Sequence, residues 1–69
     1  MSIREAIAET LAAGDAARAR RIYKQLRRQH GMNFESMLLV VAEFAPGDES
    51  EKVRALDDWE TMLDQTQGM

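Results

Sequence analysis

The stretch GDAARARRIYKQLRRQHG, residues 14–31, decides how this chain is read. It opens on Gly-Asp and closes on Gly. Glycine is favoured just past a helix end because it enters the left-handed region without a side-chain clash. Aspartate is favoured at a helix start because its carboxylate accepts an orphan backbone N–H. Gly14 therefore ends one helix, Asp15 begins the next, and Gly31 ends that one in turn. Between the two stops, Ala19, Ile22, Tyr23, Leu26 and His30 recur at helical spacing and form the stripe expected to be buried. Arg20, Arg21, Lys24, Arg27 and Arg28 fill the opposite side.

Working outward, the same punctuation divides the rest of the chain. Ser2 followed by Glu5 has the spacing of a capping box, and Ile3, Ala6, Ile7 and Leu11 then repeat as a helix face. Asn33 is placed to cap a third helix carrying Phe34, Met37, Leu38, Leu39, Val40, Val41, Ala42 and Phe44. A short strand over residues 38–41 is the competing reading, but no partner strands accompany it. Pro46-Gly47 breaks the chain. Asp48 or Ser50 can then cap a fourth helix whose apolar face is Val53, Leu56, Trp59, Met62 and Leu63. The expected fold is all-α, with four short helices arranged as two antiparallel helical hairpins in one domain over residues 1–66, and with residues 67–69 frayed. Trp59 and Tyr23 are expected to close the core, and His30 to sit favourably at the C-terminal end of the second helix.

Composition bounds the chemistry. A 69-residue chain has room for one small core. There is no cysteine and one histidine, and no loop has calcium-ligand spacing, so neither a metal nor a cofactor is expected. The longest apolar run, Met37 to Ala42, is six residues, which is far short of the roughly 20 needed for a bilayer span. With no basic-then-apolar leader at its start, the chain is expected to be cytoplasmic. Catalysis is not expected. Asp57 and Asp58 are adjacent and diverge on a helix, and neither a nucleophile with its base nor a Gly-rich phosphate loop is present.

Placing LAAGD (residues 11–15) over FAPGD (residues 44–48) aligns two helix-turn-helix units 33 residues apart. The first unit resembles a tetratricopeptide repeat over residues 6–31, through Leu11, the Gly14-Asp15 turn, and then Ala19, Ile22, Tyr23 and Leu26. The second departs from that pattern at Lys52, where a small residue would match Ala19. The resemblance implies a scaffold that binds protein and has no catalytic role. Two hairpins are also fewer than such arrays normally need, which points to a partner.

Charge falls in blocks. Residues 15–31 sum to +5 and residues 48–69 to −5, in a chain of net charge −3. The basic face of the second helix fits a solvated or intramolecularly paired helix side, and it also suits docking on an acidic protein surface. The alternative is a recognition helix for DNA in a small transcriptional regulator, which the overall acidity disfavours. The third helix is apolar on more than one side, and an interface made by Met37, Leu38 and Val41 is expected there. A homodimer pairing the second helix with the fourth is expected as well. Together these features predict a non-catalytic interaction module, whether adaptor, small chaperone or inhibitor. Arg20, Arg21, Lys24, Arg27, Arg28, Met37, Leu38 and Val41 are its expected contact residues.

Overall fold

In the computed structural model, which describes residues 2–68, the chain forms four helices: α1 (Ile3–Ala13), α2 (Ala16–His30), α3 (Phe34–Phe44) and α4 (Glu49–Gln65). The all-α expectation holds, and residues 38–41 are helical within α3. All four helices begin in one way. The side chains of Ser2, Asp15, Asn33 and Asp48 accept from the backbone N–H three residues on, at 3.2, 3.1, 2.8 and 2.9 Å. Each such cap satisfies a donor that helix geometry leaves orphaned, worth about 1 kcal/mol.

The C-terminal ends divide into two kinds. α1 and α2 stop at Gly14 and Gly31, whose φ angles of 64° and 62° lie in the left-handed region where a side chain would be strained. α3 and α4 are followed by Ala45 and Thr66, and neither has a basic residue in its own last turn. A cation from another helix closes each of them. Lys52 Nζ donates to the carbonyls of Ala42 and Glu43, at 3.1 and 3.2 Å. Arg20 Nη2 donates to the Leu63 carbonyl at 2.8 Å, while its Nε donates to Thr66 Oγ1 at 3.1 Å. A positive group at this end also complements the helix dipole.

The core draws on every helix: Ile7 from α1; Ala19, Ile22 and Leu26 from α2; Met37 and Val41 from α3; and Trp59, Met62 and Leu63 from α4. Trp59 is fully buried, and its indole N–H donates to Met37 Sδ at 3.2 Å, so the one polar atom of the ring has a partner. Thr10 is also buried, with its hydroxyl donating to the Ala6 carbonyl at 2.6 Å. The sequential pairs α1/α2 and α3/α4 pack on one another, and the most extensive helix–helix contact joins α2 to α4.

Three expectations change, for the third-helix interface, His30 and Val53. Met37 and Val41 are 0% exposed, because α3 lies across α4 and α1 and turns those positions onto Trp59 and Ile7. Neither is available to a partner, and Leu38 is itself half-buried against the core. His30 is exposed, since the last turn of α2 runs past Leu26, the final residue of that helix to meet the core. Val53 is 60% exposed. It lies six residues before Trp59, which places it about 120° around the helix from the buried side. At the C-terminus, Thr66 is buried as the cap of α4, so the ordered chain runs through it. Gln67 and Gly68 follow as an exposed turn, and the last residue of the expected frayed segment lies outside the described residues.

Candidate docking surface on α2

Eight of the nine Arg and Lys side chains fall into two sets by position; the ninth, Arg54, is exposed on α4 and belongs to neither. Arg20 and Lys52 close the ends of α4 and α3. Arg18 reaches across the first turn to Glu9 at 3.1 Å, and the Arg4 guanidinium lies 5.1 Å from the centre of the Phe44 ring. These four hold helices to one another. Arg20 is thus corrected from an expected contact residue to a structural one: it sits on the border of α2 that faces the end of α4, and its donors are used there.

The second set is Arg21, Lys24, Arg27 and Arg28, all exposed on the outward side of α2. Their spacing places them on one continuous face about two turns long. α2 itself carries no acidic residue. Arg27 is held in place by Tyr23, its guanidinium 5.7 Å from the ring centre, and Tyr23 is braced edge-on by Phe34 at 6.1 Å. A cation held over an aromatic ring loses less freedom when a partner arrives, which favours binding. Two shallow depressions of about 340 and 330 Å³ run between these side chains and are walled by α2 alone, with Gln25 and Gln29 contributing to the first. The surface is therefore a convex ridge with no enclosed pocket among these residues.

Two other surfaces flank this one. An open groove of about 470 Å³ between α1 and α4 is lined by Ala8, Leu11, Ala12 and Ala55 together with the charged residues Glu51, Arg54 and Asp58. On α4, Asp57, Glu60 and Asp64 are exposed and share a face. Apart from Val53, the large apolar side chains left outward are Leu39, 73% exposed between Glu35 and Glu43, and Phe34, 41% exposed beside Tyr23. Single exposed residues of this kind are ordinary on a protein surface.

Of the five basic residues expected on this face, the structure exposes four on the outward side of α2 and engages the fifth, Arg20, with the end of α4. The capping role of Arg20 was signalled by the absence of glycine and of basic residues at the end of α4. The cap on α3 was signalled by Lys52 standing where the repeat pattern asks for a small side chain. No protein family, curated protein or solved structure matches this chain.

Proposed function

We propose that this chain is a non-catalytic protein-interaction module, an adaptor, small chaperone or inhibitor, that docks through the ridge Arg21, Lys24, Arg27 and Arg28 onto an acidic protein surface. The observation that carries this reading is the contrast between Arg20 and Lys52, whose head groups close helix ends inside the fold, and the row of exposed cations on α2, a helix with no acidic residue of its own. The resemblance of residues 6–31 to a tetratricopeptide hairpin supports the same class of role. Exposed ion pairs contribute about 0–1 kcal/mol each, so the ridge acts chiefly by steering encounter and selecting the partner's charge.

The test uses defined polyanions. Immobilised poly-glutamate should retain the wild-type chain at low salt, although the protein's net charge is −3, and charge reversal at Arg21, Lys24 and Arg28 should abolish retention without loss of helicity. Retention on a DNA duplex but not on poly-glutamate, with a steep dependence on salt, would instead support a nucleic-acid regulator.

A further inference from the structure

We infer that a second copy of this chain supplies the acidic surface, with the ridge on α2 of one copy lying along the Asp57–Asp64 face of α4 on the other. This rests on the reading of the ridge as a docking surface and names its occupant. Arg21 and Arg28 are seven residues apart on α2; Asp57 and Asp64 are seven apart on α4; all four are exposed. Seven residues return a helix to the same face after about 10.5 Å of rise, so the two cations and the two anions repeat at one interval. Pairing α2 with α2, or α4 with α4, would oppose like charges, so the complementary register is the one the charges select. Paired about a two-fold axis, the two copies engage both strips of each chain at once, and the contact closes as a dimer. An interface made of exposed ion pairs is weak and yields to screening, so the association depends on salt.

Sedimentation velocity on four samples tests this. The wild-type chain should be dimeric at about 20 mM salt and monomeric at about 500 mM, where the Debye length falls to a few ångströms. R21E/R28E makes both strips acidic and D57R/D64R makes both basic, so each variant alone should be monomeric at low salt. Mixed in equal amounts they should form a dimer, because each then offers the strip the other needs. Circular dichroism confirms that each variant is folded, and the neutral pair R21Q/R28Q provides a milder version of the first. A monomeric wild-type chain at low salt, a dimer that survives either double substitution, or a mixture that stays monomeric would overturn the inference. A wild-type chain that is monomeric yet retained by poly-glutamate would overturn self-pairing alone and leave the docking ridge standing.

Discussion

Replacing Arg20 by alanine removes two donors at once, one to the Leu63 carbonyl at 2.8 Å and one to the Thr66 hydroxyl at 3.1 Å, and leaves the last turn of α4 without its cation. Hydrogen bonds from a charged donor contribute about 1.5–3 kcal/mol net, and a cation at a helix C-terminus adds a few tenths more. Because Arg20 is half-exposed, the lower end applies, and about 1.5 kcal/mol is the expected loss. A core of this size rarely supplies more than about 3–5 kcal/mol, so the change removes a third or more of the total. Urea unfolding followed by circular dichroism reads it directly. With a slope of about 1 kcal/mol/M, the midpoint should fall by about 1.5 M at unchanged slope. Arg28→Ala, on the displayed ridge, should move the midpoint by less than about 0.5 M, since exposed substitutions of this kind cost within about 0.5 kcal/mol. Arg20→Lys keeps the charge but not the forked donor geometry and should fall between the two. Equal midpoints for Arg20→Ala and Arg28→Ala would refute the division of the cations into structural and displayed sets.

Other substitutions probe the remaining contacts. Met37→Ala should cost about 2–5 kcal/mol by opening a cavity against Trp59, and thermal unfolding should show the loss whether or not a partner is present. Lys52→Met keeps the aliphatic stem and removes the cap on α3, so the urea midpoint should drop by an amount equivalent to about 1 kcal/mol. Asp48→Ala should cost about 1 kcal/mol through the lost N-cap of α4, with hydrogen exchange of the Glu51 amide accelerated beyond the rest of the helix. Gly31→Ala forces a side chain into a φ of 62° and should destabilise by about 1 kcal/mol in the same unfolding assay.

The local grammar of the chain was readable because the devices that start and stop helices act over three or four residues. Ser2, Asp15, Asn33 and Asp48 could be recognised as caps, and Gly14 and Gly31 as stops, with nothing known of the tertiary structure. The buried stripe of α2 was readable through Ala19, Ile22 and Leu26 for the same reason. What escaped was set by packing between helices. A run that is apolar nearly all round, as in α3, shows that much must be covered but not which side, and the structure turns Met37 and Val41 inward while Leu39 faces out. Arg20 reads like its neighbours on α2, and only the position of α4 distinguishes it. Thr10 reads as polar, yet the fold buries it and its hydroxyl bonds within its own helix.

The cap that α4 borrows from α2 ties the two halves of the molecule to each other. Arg20 lies 43 residues before the carbonyl it serves on α4, so a peptide spanning residues 33–68 would carry α3, α4 and Lys52 yet leave the end of α4 open. Splitting the chain between α2 and α3 therefore yields two incomplete fragments, each recovering order when it meets the other. The end of α4 is completed only when residues from both halves are present in one fold.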